Sequence, residues 1–200
     1  MLIPKDKIIQ FIKKSIKISP EYWRETEYHQ NFTIFSQGET IEKLYFVKEG
    51  VLRISRIDKT SNEDHTAGFV LVDGFYLPLS ALNNWCPAMA GIQAIGRKNI
   101  IMEIDIDDWL YRLGEDESLM RKYAISMGIW LMEDATQHFI NNKANKRNMK
   151  KIYYELKQEN NPIVTSGIDN SYLASHFQVN KRSLDKIEQD YIKEQKSKKK

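Results

Sequence analysis

The chain has 200 residues, 42% of them hydrophobic and 28% charged, ordinary values for a soluble globular protein and enough for one large domain or two small ones. Its single cysteine, Cys86, excludes a disulfide framework, a cysteine-based zinc site and an iron–sulfur cluster. The net charge of +3 divides unevenly: residues 1–140 hold 16 Lys/Arg against 20 Asp/Glu, whereas residues 141–200 hold 14 against 7. A basic end on a mildly acidic body favours a nucleic-acid-facing C-terminus, although four of those cations belong to a lysine-rich tail, Lys196 and Lys198 to Lys200.

The chain opens on a basic amphipathic helix in which Ile8, Ile9, Ile12 and Ile16 face one way. Lys5, Lys7, Lys13, Lys14 and Lys17 break every apolar run, so no secretory signal is expected, and no stretch of about 18 apolar residues follows that would span a membrane. The expected location is the cytoplasm, with the helix packed on the body and its lysines in water. A second helix is expected near Ser19-Pro20.

Short β-branched and aromatic runs come next: Phe32–Phe35, Leu44–Val47, Val51–Ile57, Ala67–Leu71, Ile92–Ile95 and Ile100–Ile104. Gln37-Gly38-Glu39 and Glu49-Gly50 sit where hairpins must reverse, and Asp58–Asp64 reads as a polar turn. Strands so closely spaced, with no helix between them until about residue 78, predict an antiparallel roll or sandwich.

The period then becomes helical. Asp107 and Asp108 cap a short helix through Leu113, and Asp116 or Ser118 opens a long one to about Asn142. Its apolar residues form two stripes, one of Met120, Tyr123, Met127, Leu131, Ala135 and His138, the other of Ile125, Ile129, Met132 and Phe139, with Trp130 between. A helix apolar on two sides must bury both; the roll can cover one, and a second copy of the same helix is the simplest cover for the other. A homodimer is therefore expected, joined through Tyr123, Met127, Trp130, Leu131, Ala135 and His138. Ala144–Gln158 is a further helix with a basic face, stopped at Asn160-Asn161-Pro162, and Ile163–Thr165 has the look of a short strand.

The last thirty residues carry the chemistry. Asp169–Phe177 and Asn180–Ile192 predict two helices joined by a tight turn. Asp169 and Asn180 are their N-caps; Tyr172, Leu173, Phe177 and Val179 supply the apolar contacts, and small Ala174 lies at the close approach. Leu184, Ile187 and Tyr191 recur at helical spacing on the second helix, while Asn180, Lys181, Arg182, Ser183 and Lys186 offer a basic, hydrogen-bonding front of the kind the DNA major groove admits.

A roll with glycine hairpins, a long helix and then a helix-turn-helix resembles the Crp/Fnr family, that of the cyclic-AMP receptor protein and the fumarate–nitrate regulator. The resemblance covers nearly the whole chain. It rests on Phe35-Ser36-Gln37-Gly38-Glu39, the run from Leu44 to Arg53, Asp73-Gly74, and Tyr172-Leu173-Ala174 through Leu184-Asp185-Lys186-Ile187. It implies an α+β protein. Residues 1–114 would form a jelly-roll β-roll like a cyclic-nucleotide-binding domain, 115–143 the dimerisation helix, and 144–200 a winged-helix-like DNA-binding domain.

The resemblance fails at the effector cassette. A cyclic phosphate needs a guanidinium, and a ribose hydroxyl needs a carboxylate acceptor. Between Gly74 and Ile101 there is no Asp or Glu, the only cations are Arg97 and Lys98, and Ala88-Met89 stands where the family's Arg-Ser is expected. Two readings stay open. Gly74, Phe75, Tyr76, Trp85, Ala88 and Met89 line a pocket recut for a small apolar effector, or the same side chains fill the old cavity. No cofactor is expected: the iron–sulfur branch is excluded by Cys86 standing alone, and a haem would need an axial ligand from the scattered His29, His65, His138 and His176.

The expected function is thus a homodimeric regulator of transcription that binds double-stranded DNA and not a cyclic nucleotide or a membrane. Arg182 is the best reader of a base edge. Lys186 stands where the family often has Arg, Gln178 where it has a turn Gly, and no alternating segment for a wing follows Tyr191. Asp185 and Glu188 would repel phosphate if they faced it. The alternative is a ligand- or protein-binding roll that no longer reads DNA. An enzyme is not expected, since no nucleophile–base pair or phosphate-cradling glycine loop is visible, and Glu63-Asp64-His65 reads as solvated surface.

Overall fold

The structure is a computed structural model and describes residues 5–57, 62–77, 87–113, 150, 153–154, 169–177 and 179–198. Helix α1 (Lys5–Ile18) leads through a single 3-10 turn (Pro20–Tyr22) into eight described strands: β1 (Arg24–Tyr28), β2 (Phe32–Phe35), β3 (Lys43–Glu49), β4 (Leu52–Ile57), β5 (Asp64–Val70), β6 (Phe75–Tyr76), β7 (Gly91–Ala94) and β8 (Asn99–Asp105). Helix α2 (Ile106–Leu113) follows, and the described C-terminal part carries α3 (Asn170–His176) and α4 (Lys181–Lys198). The strands form two antiparallel four-stranded sheets, ordered β1-β8-β3-β6 and β2-β7-β4-β5.

Strand alternation explains where the cores lie. On β3, Tyr45 and Val47 point between the sheets, where Phe35, Leu52, Val70, Tyr76, Ile92, Ala94 and Ile101 meet them. Leu44 and Phe46 point the other way and pack with Met102 and Ile104 under Ile8 and Ile12 of α1 and Trp109 of α2. The N-terminal helix is thus held by its isoleucines on the outer face of one sheet. A third cluster joins Val51 and Ile95 of the roll to Tyr153, Leu173, Ala174, Phe177 and Leu184.

The glycine turns form where the sequence places them, but they are not the hairpins expected: each carries the chain from one sheet to the other, since β2 and β4 belong to one sheet and β3 to its partner. Gly38 and Gly50 have φ of 93° and 94°, in the left-handed region that only glycine enters freely. Gly50 is doubly required, because a Cβ there would collide with the Lys98 carbonyl and the Asn99 side chain. Asn99 is itself buried and holds the adjoining turns together: its Oδ1 accepts from the Val51 and Gly96 amides at 3.2 and 3.0 Å, and its Nδ2 donates to the Gly96 carbonyl at 2.7 Å.

Ser19-Pro20 opens a 3-10 turn and not the helix expected there, and Arg24–Tyr28, where the sequence suggests no strand, is one. Only Thr26 and Tyr28 of that edge strand turn inward, so its sequence carries no apolar pattern to mark it. The polar turn at Asp58–Asp64 ends sooner than expected, since Asp64 already pairs with Ile57. The long helix, its dimerisation stripe (Tyr123, Met127, Trp130, Leu131, Ala135 and His138) and the segment Ile163–Thr165 lie outside the described residues. Among the described residues no helix is long and apolar enough to cross a membrane, and no group of three His, Cys, Asp or Glu side chains converges as a metal site would require.

Candidate nucleic-acid interface

Helix α3 begins on Asp169, whose Oδ1 accepts from the Ser171 amide at 2.7 Å, and that bond with the nearby Lys181 ammonium holds the carboxyl below its ordinary value. The chain leaves α3 through Phe177, whose amide donates to the Leu173 carbonyl at 2.9 Å, and the Val179 amide donates to the Ala174 carbonyl at 2.9 Å. Asn180 then caps α4: its Oδ1 accepts from the Arg182 amide at 2.8 Å and its carbonyl from the Ser183 amide at 2.9 Å. Both caps are the residues the sequence designates.

The expected basic front is not uniform. Arg182, Ser183 and Lys186 are exposed. Lys181 is exposed too, but its Nζ lies 3.1 Å from Asp169 Oδ1, so it ties the start of one helix to the start of the other. Asn180 spends its side-chain oxygen on the cap. Three of the five residues therefore present polar groups outward together, and two bind the helix pair to itself.

Helix α4 runs to Lys198, six residues beyond Ile192, where the sequence pattern ends it. The extension changes the site. Arg182, Lys186, Gln189, Lys193 and Lys196 recur at i, i+4, i+7, i+11 and i+14 and are all exposed, so they form one row along a helix about 27 Å long. Sequence reasoning misses Gln189, Lys193 and Lys196 as members of one face with Arg182. Gln189 lies within the expected helix, whereas Lys193 and Lys196 join the face only because the helix continues past Ile192.

Three of the four carboxylates of α4 have partners of their own. Tyr153 donates to Glu188 Oε1 at 2.9 Å, and Asn170 Nδ2 donates to Asp185 Oδ1 at 3.0 Å and Glu188 Oε2 at 2.8 Å. Glu194 accepts from Tyr154 at 3.0 Å and pairs with Lys150 at 3.3 Å. Asp185, Glu188 and Glu194 are thus engaged on the side of the preceding residues, while the row of cations faces water. Burial and the Glu188 carboxylate together push the Tyr153 phenol far above its ordinary value, so it remains a donor. These neutral donors hold Asp185 and Glu188 toward Asn170 and Tyr153.

The effector residues are dispersed. Phe75 and Tyr76 leave their strand on opposite faces, Phe75 toward α1 and Tyr76 between the sheets, where it stands 6.1 Å from Phe35 and burial lifts its phenol to about 12. Gly74 closes a turn onto the Leu71 carbonyl at 2.8 Å. Ala88 is buried and zipped to the Gly38–Glu39 turn by two backbone bonds of 2.8 Å, while Met89 is 62% exposed. Trp85 lies outside the described residues.

No protein-family model and no curated protein matches the chain. Solved structures do. FixK2 from Bradyrhizobium japonicum aligns with a TM-score of 0.67 at 13% identity, over 86% of this chain and 85% of that one. CLP of Xanthomonas campestris, described as a c-di-GMP responsive global regulator, aligns with a TM-score of 0.60 at 12% identity, over 91% and 92%. The catabolite activator protein of Thermus thermophilus gives 0.52 at 15% identity, over 90% and 84%. At these identities the likeness is one of fold alone, that of a cyclic-nucleotide-binding-type β-roll.

Proposed function

We propose that the chain is a sequence-specific DNA-binding regulator of transcription of the Crp/Fnr type, in which α3 and α4 are the helix-turn-helix and α4 enters the major groove. One observation carries this reading. The water-facing side of α4 is a continuous polar and cationic row, and three of the helix's acids are drawn to its other side by named partners. Arg182, near the N-terminal end of the helix, reads a base edge through its planar fork. Lys186 and Gln189 lie further along the same row, and Lys193 and Lys196 neutralise phosphates in the role a wing would fill.

The roll then serves as a body of residues 1–114, and residues 115–143 pair two copies so that two α4 helices meet half-sites about one helical turn apart. The reading includes a cytoplasmic protein that is not an enzyme. Regulation by a cyclic nucleotide is no part of it, because Ala88 and Met89 supply no cation where a cyclic phosphate needs one.

A fluorescence-anisotropy titration of the full chain against mixed genomic duplexes, run at physiological salt, tests the proposal. It requires that some fragments bind at least about a thousandfold more tightly than random DNA, the lower end of what specific regulators achieve. Uniform affinity across fragments would instead favour a roll whose helix pair no longer reads sequence.

A further inference from the structure

Arg53 lies on the outer face of the β4 strand, yet it is only 4% exposed, because helix α3 covers it. Four hydrogen bonds engage its guanidinium. Nε donates to Thr66 Oγ1 at 2.8 Å, Nη1 and Nη2 form a bidentate pair with Asp64 at 2.8 and 2.9 Å, and Nη1 also reaches Gln93 Oε1 at 3.2 Å. The flat face that remains lies over the ring of Tyr172, on α3, 4.9 Å from its centroid.

The arrangement closes into a ring of bonds. Tyr172 donates its hydroxyl to Asn31 Oδ1 at 3.0 Å; the Asn31 carbonyl accepts from Gln93 Nε2 at 3.2 Å; and Gln93 returns to Arg53. One helical turn along α3, Ser175 Oγ accepts the Thr66 backbone amide at 3.0 Å, next to the β4–β5 irregularity between Ile54 and Ser55. Below these polar groups the His176 ring meets Phe69 at 5.2 Å and Phe177 at 5.3 Å, over the cluster that joins Val51 and Ile95 to Leu173 and Phe177.

We propose that Arg53 is a positioning residue: through Tyr172 it fixes α3 on the roll and thereby sets the bearing of the cationic row of α4. The link from α3 to α4 is direct, since Asn170 bonds both Asp185 and Glu188 and Leu184 is buried against Leu173 and Ala174. A buried guanidinium is costly unless its partners are all in place; Asp64, Thr66 and Gln93 supply them from the roll, so α3 can cover Arg53 and seat Tyr172 on its open face. In a pair of protomers, the same docking sets the distance between the two rows. That last consequence rests on the DNA-binding reading; the docking does not.

Amide exchange followed by mass spectrometry on the full chain tests the docking. In Arg53→Met, exchange should rise about tenfold or more in the segments covering α3 and α4 while those covering β3 and β8 keep their protection. Tyr172→Phe, which removes only the hydroxyl bond to Asn31, should give a smaller rise in the same segments and guards against an unfolded first variant. Unchanged exchange in α3 and α4, or an equal rise throughout the roll, would overturn the proposal. A second panel measures affinity for duplexes whose two half-sites stand at graded separations. Wild type should show a narrow optimum and Arg53→Met a broad one, with affinity for a single half-site retained. An equally narrow optimum in Arg53→Met would overturn the link from docking to DNA geometry. A wild type blind to sequence would sink the DNA-binding reading alone, and the exchange pattern would still decide the docking.

Discussion

Tyr153 donates its hydroxyl to Glu188 across 2.9 Å, and this bond holds a carboxylate of α4 on the side away from the Arg182 row. Tyr153 is fully buried, and its phenol is pushed up first by that burial and then by Glu188, so the donor is present at every working pH. Removing it with Tyr153→Phe should cost about 1–2 kcal/mol, the range for leaving a part-buried acceptor short of a partner, read as a lower urea midpoint at unchanged slope. A midpoint within error of wild type would show that the bond does not organise the helix pair.

Arg182 stands at the N-terminal end of the row with its backbone amide fixed by Asn180 and its side chain exposed. Arg182→Ala should weaken the preferred duplex by about 1–3 kcal/mol and barely change binding to random DNA, so that discrimination shrinks. Competition titrations with the two duplexes read this directly. Equal losses on both would reduce Arg182 to a phosphate ligand.

Lys193 and Lys196 lie farther along the same face. Replacing both with Ala should weaken all duplexes alike and lower the slope of log affinity against log salt by about two, roughly one for each phosphate no longer neutralised. The measurement is a salt series from low to physiological concentration. A loss confined to one sequence would place these lysines at bases.

Asp169 caps α3 through the Ser171 amide and meets Lys181, and both interactions favour its ionised form, so its carboxyl in the folded chain sits below the ordinary 3.8. The unfolded chain therefore takes up the proton first, and the stabilisation is present above pH 3.8 and lost as the pH falls through the lower folded value. Asp169→Ala should cost about 1 kcal/mol at neutral pH, and the difference from wild type should vanish in acid. Urea unfolding at neutral and acid pH checks the sign; a constant difference would mean that the carboxylate is not what caps the helix.

What the sequence discloses follows from how each segment is buried. Leu44–Val47 is legible because burial on both faces leaves an unbroken apolar run, Phe32–Phe35 because it is aromatic and β-branched, and the turns because positive φ leaves a glycine. β1 is not, because its outward Arg24, Glu25 and Glu27 outnumber its inward residues. The caps Asp169 and Asn180 are legible as local chemistry. The end of α4 is not, since Lys193–Lys198 has no apolar period and stays helical as the continuation of an already nucleated helix. Nor is the role of Arg53, whose partners Asp64, Gln93 and Tyr172 meet only after the sheet and α3 have come together.

The central claim is that the exposed row on α4 reads a duplex, and selection from a random double-stranded DNA library by the full-length chain at physiological salt tests it most directly. Successive rounds should enrich one roughly palindromic motif whose halves lie about one helical turn apart, and Arg182→Ala should degrade its most constrained positions. A wild-type selection that ends with no shared motif would contradict the account.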